Sequence, residues 1–101
     1  MSTEVDETIK RLSSRKGVYA VIVTDLDGHV VRATLENDRA KEYASHVNKL
    51  IGHTRETVAA IDSENDLTFL RVRTRKYEIM VCPDKEYVMI VLQNPAEHGE
   101  I

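Results

Sequence analysis

Residues 66–95, DLTFLRVRTRKYEIMVCPDKEYVMIVLQNP, read as three β-strands joined by short turns. The strands are expected over residues 67–74, 77–82 and 87–93, where Val, Ile, Tyr, Phe and Thr dominate. Arg75-Lys76 leaves room only for a tight reversal. Pro83-Asp84-Lys85-Glu86 is a turn with a mechanism, because proline presets φ and aspartate bonds its own backbone. Connections this short force antiparallel neighbours, hence a meander. The last of the three strands is apolar from Tyr87 to Leu92, so both of its faces should be covered. The first mixes Leu67, Phe69, Leu70 and Val72 with Arg71 and Arg73, as an edge strand does.

Upstream, residues 3–15 read as a short helix with Thr3 as its cap, Val5, Ile9 and Leu12 on one stripe, and Gly17 as its stop. Residues 18–24 form a second fully apolar strand. Asp25-Leu26-Asp27-Gly28 turns it into a partner over residues 29–35. Asn37 or Asp38 is expected to cap a long helix running to about residue 60, with Ala40, Tyr43, Ala44, Val47, Leu50, Ile51, Thr54, Val58 and Ile61 at helical spacing. The two most apolar strands, the first and fifth, belong at the centre and side by side. The fold class is therefore α/β, an α+β sandwich. Its five-stranded antiparallel sheet has the order 2-1-5-4-3, with the helices on its two faces. Strand three is left as an open apolar edge, which needs cover. A second copy related by a two-fold axis supplies that cover most simply, and the sheet would continue through strand three across the dimer.

The chain of 101 residues is expected to be one domain over residues 1–95 with a polar tail, 96–101. A net charge of -3 argues against nucleic acid as the main partner. No apolar run approaches the roughly 20 residues of a membrane span. The lone cysteine, Cys82, has no internal disulfide partner and is expected in the core, where a thiol is inert. The four histidines lack the i, i+4 pairing of a helical zinc site, and the four glycines are too scattered to cradle a phosphate. Asp25, Asp27 and Gly28 resemble the start of a calcium loop, but the glycine comes too early, and turn chemistry explains them better. No nucleophile, base and orienting group stand together, so neither catalysis nor a cofactor is expected. Arg71, Arg73, Arg75 and Lys76 form the one basic cluster, with the three arginines on one face of the strand by alternation; it reads as solvated edge charge, with an acidic partner contact as the functional alternative.

Several runs carry a family likeness. They are Asn65-Asp66-Leu67-Thr68-Phe69-Leu70-Arg71, Glu78-Ile79-Met80-Val81, Pro83-Asp84-Lys85 and Gln93-Asn94-Pro95, with weaker matches along the first helix and at Tyr43-Ala44-Ser45. With these, the chain resembles a roadblock-type dynein light chain over nearly its whole length. The resemblance implies a dimer with a continuous ten-stranded sheet, acting as a non-catalytic subunit that binds a dynein intermediate chain. It implies a cytoplasmic, microtubule-associated setting, with the ciliary axoneme as the other one. The dimer would be a homodimer or a pairing with a paralogue. Its expected interface is Tyr43, Val47, Leu50, Ile51 and Thr54 on the long helix, with Leu67, Phe69, Leu70 and Val72 on the edge strand. The wider superfamily also contains scaffolds and regulators of small GTPases, the alternative function.

Overall fold

The two fully apolar strands do sit together at the centre of the sheet. In the computed structural model, which describes residues 3–94, the order is β2-β1-β5-β4-β3. The elements are α1 (Thr3–Ser13), β1 (Val18–Thr24), β2 (Val30–Ala33), α2 (Asn37–Ile61), β3 (Leu70–Arg73), β4 (Glu78–Pro83) and β5 (Val88–Gln93). All four strand pairings are antiparallel. The expected tail, 96–101, and the capping side chain of Thr3 lie outside the described residues.

Alternation along the strands divides the sheet into two faces. On one face Ala20, Ile22, Val81, Val88, Ile90 and Leu92 pack against Ala40, Val47 and Ile51 of α2. On the other, α1 lies along β1, and Arg32 Nε on β2 donates to Asp6 of α1 at 3.0 Å. The helix α2 has 25 residues, and at about 1.5 Å per residue it outruns the sheet beneath it. Its last well-buried side chain is Ile51, while Ile61, which shares the apolar spacing, is 82% exposed.

The strands are shorter than the apolar pattern suggests, because polar side chains capture the backbone at their ends. The Asp66 carboxylate accepts the Leu67 N–H at 2.7 Å and the Asn65 side chain accepts the Asp66 N–H, so β3 starts at Leu70 instead of Leu67. At the end of β2 the Thr34 hydroxyl accepts the Val21 N–H at 2.9 Å. That N–H would otherwise serve the strand ladder. The reversal after β4 is a hairpin closed by Asp84 N–H to the Tyr87 carbonyl, with Pro83 still in the strand. At α2 the expected cap, Asn37 or Asp38, is corrected to Glu36. Glu36 is the last extended residue, and Ala40 N–H already bonds its carbonyl, so Asn37 and Asp38 lie inside the first turn.

The β1–β2 turn is held by Asp25, whose Oδ1 accepts the N–H groups of Asp27 and His29. Gly28 sits there at φ +92, where an added Cβ would meet Asn48 at 3.0 Å. Left-handed strain and this contact act together, so Gly28→Ala is expected to cost about 1–2 kcal/mol, read as a lowered urea midpoint.

Candidate interaction surface

The α2 face of the sheet carries a groove. Tyr43, Val47 and Leu50 form its helical wall and Tyr77 and Ile79 its strand wall, with Arg39, Glu42 and His46 above, around a cavity of about 390 Å³. Ile79 of its strand wall lies opposite Val72 of β3, whose only strand neighbour among the described residues is β4. Tyr43 and Tyr77 of the groove meet a third tyrosine, Tyr19. Tyr19 is the unpaired residue of a bulge in β1, where Val18 faces Gln93 and Ala20 faces Leu92. The ring of Tyr19 meets that of Tyr77 edge-on at 6.3 Å, and the Arg39 guanidinium lies 5.5 Å from the Tyr43 ring centre. Burial and a hydrogen bond with Tyr43 push the Tyr19 hydroxyl up to about 12. Desolvation acts against ionisation of Tyr43 as well, but hydrogen bonds with Tyr19, Arg39 and Tyr77 bring its pKa below the ordinary value.

The residues expected to form an interface divide into three groups. Val47 and Ile51 are buried against the chain's own sheet, and Leu67 and Leu70 pack on the same core. Tyr43, Leu50, Thr54 and Val72 keep surface to offer a partner, with Leu50 36% exposed. Phe69 departs from the others. It precedes β3, is 48% exposed, and lines the opposite side of the sheet beside α1.

The basic cluster also divides. Arg71 and Arg73 reach across the α1 side of the sheet to Glu78, whose side chain is 1% accessible. Arg71 donates to it through Nε and a terminal nitrogen, both at 3.1 Å. Arg73 donates at 2.9 Å and the Gln93 amide at 2.9 Å. Hydrogen bonds from Arg71, then from Gln93, outweigh burial and hold the Glu78 carboxyl down at about 2. Arg75 lies past the strand, in the turn capped by the Thr74 hydroxyl, and is exposed. Cys82 corrects an expectation. It is exposed, because α1 lies over β1 and leaves this part of β4 uncovered. Asp25, Asp27 and His29 place ligand atoms within 4.8 Å of one another, but the Asp25 oxygens already serve the backbone of the turn and the His29 ring.

Sequence spacing did not single out Glu78, Gln93, Tyr19 or Tyr77 as members of a cluster. The first could have been suspected from alternation, which puts it opposite Arg73 on the face shared with Arg71.

Five antiparallel strands in this order, a long helix on one face and a short one on the other, match a known domain. The Roadblock/LC7 domain model matches residues 4–94. The chain belongs to this family. Among solved structures, the Roadblock/LC7 domain from Streptomyces avermitilis superposes with a TM-score of 0.81 at 18% identity, covering 88% of this chain and 77% of that one. Myxococcus xanthus MglB gives 0.77 at 15% identity, covering 93% and 78%. The gliding protein MglB of Thermus thermophilus gives 0.76 at 11%, covering 90% and 71%. At these identities the likeness is one of fold. The roadblock domain here thus has the family's sheet order, and among the described residues β3 has β4 as its one strand neighbour.

Proposed function

We propose that this protein is a non-catalytic roadblock scaffold, a dimer built through the β3 edge and the flank of α2, which holds or regulates a small GTPase. The observation that carries the reading is the outer edge of β3, which no strand of the described residues pairs, near the groove of Tyr43, Leu50 and Ile79. An open strand and an apolar groove on one side of a sheet suit a second copy of the same chain. The bacterial MglB structures among the folds that match this one favour the GTPase partner over a dynein intermediate chain, which rests on the sequence runs alone. The family as a whole supports a binding role over a catalytic one.

Light scattering after size exclusion tests the dimer, and the same run with a small GTPase loaded with GDP or a GTP analogue tests the partner. A dimer whose complex depends on the nucleotide bears the proposal out. A dimer that ignores the GTPase and retains a dynein intermediate-chain fragment restores the motor-subunit reading. A monomer at micromolar concentration removes both. Leu50→Asp with Val72→Asp places two charges in the proposed interface and is expected to weaken self-association by at least about 30-fold. Both side chains keep exposed surface in the single chain, so the variant should still fold, which circular dichroism checks.

Gly52 separates two roles. Nothing lies within 4 Å of a Cβ added there. In a solitary helix Gly52→Ala stabilises by about 1 kcal/mol, seen as a raised melting temperature. A variant that melts higher yet dimerises less well would place a partner helix against that position.

A further inference from the structure

On α2, the flank above the groove carries metal-ligating side chains in two pairs. Glu42 and His46 are four residues apart and His53 and Glu56 three, the spacings at which side chains meet on a helix. Glu42 and His46 line the groove beside Leu50, and His53 Nδ1 lies 3.8 Å from a Glu56 carboxylate oxygen. All four residues are exposed. At about 3.6 residues per turn, His46 and His53 share a flank, about 20° apart around the helix, but stand about 10 Å apart along it. Zinc holds its ligand atoms at about 2.0–2.2 Å, so one ion cannot reach both from a single chain. Among the described residues, the one group of three ligand side chains gathered within 4.8 Å is Asp25, Asp27 and His29, and no third ligand joins either α2 pair. Each pair is half of a site.

A second copy supplies the other half. The site rests on the dimer proposed above, whose two-fold axis sets the α2 helices side by side and antiparallel. Two helices spanning Asn37–Ile61 that overlap fully cross at their midpoint, Lys49. Positions equally far from the crossing on either side then face each other, and His46 stands level with the partner's His53 to within a residue. The strand side agrees with this crossing. Val72 of the β3 edge lies opposite Ile79, which lines the groove with Tyr43, Val47 and Leu50, so an axis beside Val72 meets α2 near its middle. At the roughly 8–10 Å between packed helices, imidazoles from the two sides of the seam reach a common ion. Arg39 approaches Glu42 only to 3.8 Å, an exposed contact that a divalent ion outcompetes.

We propose that the dimer binds two zinc-class divalent ions along the α2 seam, each held by Glu42 and His46 of one chain and by His53 and Glu56 of the other. Two imidazoles and two carboxylates make up the four ligands that zinc takes, and they suit it better than magnesium or calcium. Each ion ties the two copies together, so zinc and self-association strengthen one another.

The test uses the full chain. Light scattering in a chelating buffer first establishes the dimer without metal. Calorimetric titration with zinc chloride should then show about one ion per chain, and zinc should tighten self-association at least about tenfold. His46→Ala and His53→Ala, both at exposed positions, should each abolish zinc uptake and leave the metal-free dimer intact. Co-expressed with different affinity tags, the two variants give a mixed dimer in which one seam site keeps all four ligands. That dimer should recover about half of the parent's zinc capacity, which no site within one chain can do. A metal-free dimer that takes up no zinc overturns the proposal and leaves the dimer standing; a monomer with and without zinc removes both. Loss in each variant without recovery in the mixed dimer overturns the pairing of His46 with the partner's His53. Uptake kept by both variants and lost in His29→Ala overturns it by giving the ion to the Asp25 turn.

Discussion

Glu78→Ala is expected to lower the melting temperature by roughly 10 °C. Glu78 accepts hydrogen bonds from two guanidinium groups and a buried amide. Its loss leaves Arg71 and Arg73 as neighbouring like charges and strands the amide of Gln93, which is 6% exposed. Water can reach both guanidinium groups, so the loss stays below that of a fully enclosed ion pair. Glu78→Gln keeps the shape and part of the hydrogen bonding, and should fall between the parent and the alanine variant. The same group fixes a pH dependence. Its folded pKa of about 2 lies below the ordinary 4.5, so the folded state favours the ionised form. The stabilisation is whole above pH 4.5 and is lost as pH falls from there through 2. Urea midpoints at pH 7 and pH 3 should therefore separate more in the parent than in Glu78→Gln. Equal separation would assign acid sensitivity to other carboxylates.

Ile22→Ala is expected to cost about 3–4 kcal/mol and to lower the melting temperature by about 15 °C. Ile22 has no accessible surface and lies opposite Ile90 of β5 and Ala33 of β2. The strands on both sides and α2 above restrict collapse of the cavity left behind. A domain of this size holds a total of about 5–15 kcal/mol, so the change consumes a large share of it. Ile22→Val removes one methylene and should cost only about 1 kcal/mol. A small loss in the alanine variant would mean that α2 can settle onto the sheet.

The strand order was legible because two runs, Val18 to Val23 and Tyr87 to Leu92, lack any outward-facing polar residue. Such strands must be covered on both faces, and only the centre of the sheet provides that. The α2 register was legible for the same reason, through Ala40, Ala44, Val47 and Ile51. The surface was less so. Cys82 sits in an apolar run and reads as core, but the bareness of its face follows from the small footprint of α1, which no local pattern encodes. Phe69 reads as the next residue of an edge strand. The capture of backbone N–H groups at Asn65 and Asp66 removes it from the ladder, and as the neighbour of Leu70, which packs on the α2 side, it falls by alternation on the other face. Tyr19 escaped notice because a bulge frees it from the alternation of β1. No local pattern marks Glu78 as buried; its burial depends on Arg71 and Arg73 of β3 and on Gln93 of β5.

The pairing of β1 with β5 bears on how the chain is made. The middle of the sheet joins Val18 to Gln93, and Asn94 N–H bonds the Gly17 carbonyl at 2.8 Å. A ribosome releases β1 long before β5 exists, so the β1–β2 hairpin and α2 must wait with apolar surface uncovered until nearly the whole domain has emerged. Closure then spans most of the sequence at once, the slow kind of contact in folding. A nascent chain stopped before Val88 has no central partner for β1, and β1, whose free edge β5 later covers, is until then the segment most exposed to pairing with a neighbouring chain.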